Sequence, residues 1–150
     1  MSAGEFDQQG ATSEVETTLT FASDLIADKT AELTKEEAAA IAALPSGSAL
    51  LVVIKGPNDG ARFLLDQEVT TVGRHPNADI FLDDVTVSRR HAEFVRKGNS
   101  FIVRDLGSLN GTYRDGRNID LVQLNDGDEV QIGKFRMTFF ASPADLGGGN

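Results

Sequence analysis

From Ala49 to Ala141 the chain is cut by turn signals into short β-rich runs, and that rhythm limits the fold more than any other feature. The runs are Ala49–Ile54, Ala61–Leu65, Val69–Gly73, Ile80–Leu82, Ala92–Val95, Phe101–Asp105, Thr112–Arg114, Arg117–Ile119, Glu129–Ile132 and Arg136–Phe140. Between them stand Gly56-Pro57-Asn58-Asp59-Gly60, Lys97-Gly98-Asn99, Asp115-Gly116, Asn125-Asp126-Gly127 and Gly133-Lys134. Asp-Gly is a strong hairpin signal because it tolerates the positive φ of a two-residue turn. Short strands at intervals of roughly 8–12 residues, with almost no helix, predict an all-β sandwich.

The flanks read differently. Residues 1–23 are polar and lack sustained periodicity, which predicts a disordered tail. Within it, Val15-Glu16-Thr17-Thr18-Leu19-Thr20-Phe21 is denser in β-branched and aromatic residues than a solubilising tail requires. It is either a chance apolar cluster or a short linear motif. Residues 24–48 read as a partly helical linker, with Thr34 and Glu37 at capping-box spacing ahead of an Ala-rich stretch. Isolated helices this short are marginal in water. Pro45-Ser46-Gly47-Ser48 marks a boundary, leaving a domain over 49–141, and the Gly-rich 142–150 predicts a disordered C-terminus.

Composition narrows the functions. The formal net charge is −9, which disfavours nucleic-acid binding. Residues 1–48 carry nine acids and two bases, so the acidity lies in the tail and linker. Such a tail is either simply solvated or able to dock on arginines of the domain. Without Cys there are no disulfides, thiolate nucleophiles or Cys-ligated metals, which is compatible with a cytoplasmic location. No run of about eighteen apolar residues is present, so no membrane helix is expected. Met1–Gly10 has neither the basic nor the apolar region of a secretory signal.

The loops carry the chemistry: Gly73-Arg74, Val87-Ser88-Arg89-Arg90-His91 and Gly107-Ser108-Leu109-Asn110-Gly111-Thr112. Phosphate recognition needs a fixed cation and neutral donors. Arg74 offers a planar fork of N–H groups, and the Ser88 hydroxyl can complete the shell. Asn110 has both a donor and an acceptor for the backbone of an extended peptide. Gly73 and Gly111 permit tight turns. Each feature has a plainer reading: Arg74 as a surface charge, Asn110-Gly111 as a simple turn, and His91 as a brace for its own loop. Ser88 with His91 also has the look of a nucleophile pair. Their joint occurrence, in order, within an all-β chain favours a binding site.

Gly73-Arg74, Ser88-x-x-His91 and Asn110-Gly111 together resemble the signature of the forkhead-associated (FHA) domain, over about Ala49–Ala141. That resemblance implies an eleven-stranded β-sandwich whose apical loops bind phosphothreonine peptides. It implies that Arg74 and Ser88 hold the phosphate with Arg89 beside them, that Asn110 binds peptide backbone, and that Gly73, His91 and Gly111 support the loops. Leu109 departs from the pattern, since many members carry Thr there.

Longer stretches, Gly73–Pro76, Asp79–Phe94, Gly107–Tyr113 and Gln131–Arg136, are similar to the small actinobacterial regulators called oxoglutarate dehydrogenase inhibitors or glycogen accumulation regulators. This closer resemblance implies that the unphosphorylated protein binds and inhibits the oxoglutarate dehydrogenase complex, with glutamate dehydrogenase and glutamate synthase as further partners. It implies that a serine/threonine kinase modifies a Glu-Thr-Thr motif, here Glu16-Thr17-Thr18, and that the phosphorylated tail then occupies the FHA site of the same molecule. Thr18 is the first choice for the modified residue and Thr17 the second. Where the relatives typically carry Ser-Val, this chain has Leu19-Thr20.

A constitutive adapter that binds phosphothreonine on other proteins is the alternative. Catalysis is disfavoured: there is no Gly-x-Ser-x-Gly, no P-loop and no His pair at ligand spacing, and His75 and His91 are the only histidines. Asp126-Gly127-Asp128-Glu129 resembles the start of a calcium loop but lacks the later ligands. No metal and no cofactor are expected.

Overall fold

The computed structural model describes residues 33–56 and 60–146, so Thr17, Thr18 and the remainder of the tail motif lie outside the described residues. Eleven strands occur among them. In chain order they are β1 (Ala49–Lys55), β2 (Arg62–Leu65), β3 (Val69–Gly73), β4 (Ile80–Phe81), β5 (Ala92–Lys97) and β6 (Ser100–Asp105). Then follow β7 (Thr112–Arg114), β8 (Arg117–Ile119), β9 (Leu121–Leu124), β10 (Glu129–Ile132) and β11 (Phe135–Ala141). They form a five-stranded sheet, β9-β6-β5-β3-β4, and a six-stranded sheet, β2-β1-β11-β10-β7-β8. Every pairing is antiparallel except the short β3–β4 pair, so the expected all-β sandwich is the fold.

Period-two alternation aims one face of each strand inward. Thr70 and Val72 of β3, Ala92 and Phe94 of β5, Phe101 and Val103 of β6, and Val130 and Ile132 of β10 are all buried, while the residues between each pair are less so. The two inner faces meet in one apolar cluster that also takes in Leu51, Val53, Phe135, Met137 and Phe139. Phe101 from one sheet meets Phe139 from the other edge-to-face, with ring centroids 5.8 Å apart. That contact joins the layers at the geometry aromatic quadrupoles prefer.

Two expectations need correction. Leu121–Leu124 is not among the runs picked out in the sequence, yet it is β9, paired along β6 from Leu121↔Arg104 to Leu124↔Phe101. Asp120 alone separates it from β8, and there the chain changes sheets without Gly or Pro. Residues 142–146, expected to be disordered, are held. The Ser142 side chain is fully buried, with its hydroxyl donating to the Leu44 carbonyl at 2.8 Å. Pro143–Asp145 forms a 3-10 turn, and Asp145 accepts the Gly47 N–H at 2.8 Å and the Ser46 hydroxyl.

Helix α1 runs from Lys35 to Ala42. It opens on reciprocal bonds: the Thr34 N–H donates to the Glu37 carboxylate, and the Glu37 N–H donates to the Thr34 hydroxyl, both at 3.0 Å. The spacing that suggested a capping box therefore makes one. By contacts the chain divides into two compact units within this helix, after Ala38, and the sandwich belongs to the second.

Candidate functional site

The loops after β3, before β5 and after β6 converge through backbone bonds. The Arg74 N–H donates to the Ser88 carbonyl at 2.9 Å, the His91 N–H to Val72 at 3.0 Å, and the Leu106 N–H to His91 at 2.9 Å. Gly73 makes this approach possible. A Cβ there would sit 2.0 Å from the Arg89 carbonyl oxygen, which no side-chain adjustment can relieve. At Gly111 φ is +86°, a conformation that disfavours any side chain.

His91 is the pin through this cluster and is completely buried. Its Nδ1 accepts the Ser88 N–H at 3.1 Å, so its proton sits on Nε2, which donates to the Gly111 carbonyl at 2.9 Å. Burial pushes the imidazole pKa below its usual value, against the opposing pull of the Gly111 carbonyl and the Asp105 charge. The ring is thus neutral at pH 7. It ties the second loop to the third, and it does not contact the Ser88 hydroxyl through a hydrogen bond.

Asp105 fixes the third loop. It accepts the N–H groups of Gly107 and Ser108 at 2.9 and 3.0 Å, and the hydroxyls of Ser108 and Thr112 at 2.6 and 2.7 Å. Burial alone would raise its pKa. The donors from Ser108, Thr112 and Gly107 outweigh that and hold it below the usual carboxylate value. The Ser108 hydroxyl in turn accepts the Gly111 N–H at 2.9 Å. Thr86 braces the other side. Its carbonyl accepts the Asn110 amide at 3.0 Å, and its hydroxyl accepts the Lys134 N–H at 3.0 Å while donating to Asp84. Those bonds from the Thr86 side chain and backbone lower the Asp84 pKa, helped by the charges of Lys134 and Arg74.

What the bracing leaves unused defines the site. Arg74 is exposed, and its Nε donates to the Val87 carbonyl at 3.0 Å, which sets the plane of the guanidinium. Among the described residues, no carboxylate lies within 4.0 Å of Arg74 or Arg89, and the terminal nitrogens of Arg74 make no hydrogen bond. The Ser88 hydroxyl accepts the Leu109 N–H at 2.9 Å, so its own proton remains to be given. The Asn110 amide keeps its oxygen and one N–H. A fixed cation, a free hydroxyl donor and a half-used amide on three tied loops can receive a tetrahedral oxyanion on an extended chain.

Two clefts flank the cluster. Thr86, Asn110, Tyr113, Gln131 and Lys134 line one, and Thr71, His75, Asn77, Arg89 and Arg90 line the other. The structure therefore brings together Arg74, Ser88, Asn110, Gly73, His91 and Gly111, with Arg89 beside them. Sequence reasoning missed Asp105, Ser108 and Thr86. The Asp105-x-Gly107-Ser108 spacing is a local side-chain-to-backbone turn signal that would have found the first two.

Fold and loop cluster define an FHA domain, and the chain matches that family over residues 70–133. A solved structure described in a structural and functional analysis of phosphothreonine-dependent FHA domain interactions superposes with a TM-score of 0.59 at 30% identity, covering 64% of this chain and 98% of that one. The glycogen accumulation regulator GarA of Mycobacterium tuberculosis is 54% identical over 93% of this chain and 88% of its own length. The oxoglutarate dehydrogenase inhibitor of Corynebacterium glutamicum is 58% identical over 88% of this chain and 93% of its own. The chain belongs to this family of FHA-domain regulators.

Proposed function

We propose that the protein is a phosphothreonine-binding regulator of 2-oxoglutarate and glutamate metabolism that acts by binding and not by turnover. The observation that carries the reading is Arg74, oriented through Val87, without a carboxylate partner among the described residues, and tied to the Ser88 loop by its own N–H donating to the Ser88 carbonyl. Arg74 and Ser88 hold the phosphate, Arg89 adds charge beside them, and Asn110 grips the peptide backbone. Gly73, His91 and Gly111 keep the loops in register. The His91 geometry speaks against a nucleophile pair, since both ring nitrogens engage backbone groups.

In the unphosphorylated state this surface is open to protein partners, first among them the oxoglutarate dehydrogenase complex, with glutamate dehydrogenase and glutamate synthase as further candidates. A serine/threonine kinase then modifies Thr18 or Thr17, and the tail becomes an internal ligand. Phosphate adds about −1.5 to −2 charges and three strong acceptors. Thr18 lies about thirty residues before Ala49, and a flexible chain of that length spans on the order of 30 Å. The effective concentration is then roughly millimolar, enough for a ligand of micromolar affinity to close the switch about a thousandfold. A cytoplasmic setting fits partners of this kind.

The test is calorimetric titration of the unphosphorylated full chain with a peptide of residues 13–25, carrying phosphate on Thr18, on Thr17 or on neither. Micromolar binding only to a phosphorylated form is expected. Equal affinity for all three peptides, or none for any, would overturn the reading. Replacing Thr17 and Thr18 together with Ala removes the response to kinase in a self-switch and leaves a constitutive adapter unaffected.

A further inference from the structure

The cleft on the Arg90 side of the cluster has a volume of about 380 Å³. Its lining pairs aliphatic surface from Ala78 and Leu106 with donors from His75, Asn77, Arg89 and Arg90. The Asn77 N–H donates to His75 Nδ1 at 3.0 Å, which leaves Nε2–H of a neutral His75 as a donor. Neither Arg89 nor Arg90 makes an ion pair within 4.0 Å among the described residues. The two lining groups that would compete with an incoming anion are already held: Glu93 by Arg104, and the Thr71 hydroxyl by Asp79. Apolar wall plus convergent donors suits a side chain with an aliphatic stem and an anionic head.

The cleft starts one residue from each phosphate ligand, since His75 follows Arg74 and Arg89 follows Ser88. In an extended peptide, side chains two residues apart share a face and lie about 7 Å apart. Around Thr18 the only acids within four residues are Glu14 and Glu16, both on the N-terminal side. Glu16 shares a face with Thr18, whereas next to Thr17 it points the other way.

We propose that this cleft is a second subsite of the reader, taking the carboxylate of a glutamate two residues N-terminal to the phosphothreonine. This rests on the phosphothreonine reading above and adds a rule to it. Arg90 and His75 recognise the glutamate head, and Arg89 lies between the two anions. The rule makes the Thr18 phosphate the tighter internal ligand of the two, because Glu16 shares a face with the phosphate only in that register.

The experiment titrates the unphosphorylated full chain with peptides of residues 12–24 bearing phosphothreonine at 18 and either Glu16 or the Glu16→Gln change. Arg90 is exposed and makes no side-chain hydrogen bond or ion pair among the described residues, so Arg90→Gln and Arg90→Glu proteins should fold normally. The Gln peptide is expected to bind wild type about fivefold more weakly, an effect typical of one partly exposed charge-assisted contact. That difference should disappear with Arg90→Gln protein and for peptides phosphorylated on Thr17 instead. Arg90→Glu protein should prefer a Glu16→Lys peptide. Equal affinity of the Glu and Gln peptides for wild type, with binding still phosphate-dependent, refutes the subsite and leaves the reader intact. Failure of every phosphothreonine peptide to bind brings down both.

Discussion

Two places in the molecule are tied by side-chain bonds across long stretches of sequence, and they differ in what the ties leave over. At the closing strip, Ser142 reaches Leu44 and Asp145 reaches Ser46 and Gly47, about a hundred positions away. Both Asp145 oxygens are engaged there, and the contact serves the fold. In the loop cluster, His91 and Thr86 make the same kind of tie while Asp105 braces its own loop locally, yet Arg74, Ser88 and Asn110 emerge with donors unused. Dense bonding alone does not mark a binding site. A braced frame carrying unpaired groups does.

Experiments can break or sharpen that contrast. The largest effect is expected from Gly73→Ala, which drives a methyl group into the Arg89 carbonyl. It should cost about 3 kcal/mol or more in urea unfolding, and a neutral result would mean that the β3 end is softer than it stands here. Arg74→Ala should weaken phosphopeptide binding about a hundredfold with an unchanged melting temperature. Loss of stability instead would place Arg74 in the frame. Asp145→Ala should do the reverse, lowering unfolding free energy by about 1 kcal/mol without altering calorimetric affinity.

The smallest effect is in pH dependence. The folded pKa of His91 is depressed, so the unfolded chain binds its proton more readily. Stability from this group is complete above about pH 6.5 and declines as pH falls below that. The Asp105 pKa is also depressed, so its contribution is kept until pH drops below the unfolded carboxylate value near 3.9. Chemical denaturation from pH 8 to 3 should therefore show two separate declines, and His91→Gln should remove only the upper one. A single acid transition in the wild type would contradict a buried His91 whose pKa is held below its usual value.

Much of the fold was legible because local chemistry and global pairing agree. Asp115-Gly116 sits between β7 and β8, and alternation in Phe101–Val103 and Val130–Ile132 aims those side chains inward. Leu121–Leu124 was not legible, because a strand that switches sheets at a single Asp120 carries no turn signal. Residues 142–146 were missed for a different reason. Their partners, Leu44, Ser46 and Gly47, are distant in sequence, and local composition cannot report them. The same holds within the site. Arg74, Ser88 and Asn110 could be picked by residue type, whereas the Thr86 carbonyl that seats Asn110 is a backbone group and invisible to any pattern of side chains.

Tyr113 stands in the cleft beside Asn110, Thr86 and Lys134, and the chain holds one tyrosine and no tryptophan. All ultraviolet emission that is not from phenylalanine therefore originates at the edge of the proposed peptide-binding surface. The protein carries a built-in optical gauge: a ligand that displaces water from this phenol alters its fluorescence, and occupancy can be followed on unlabelled material.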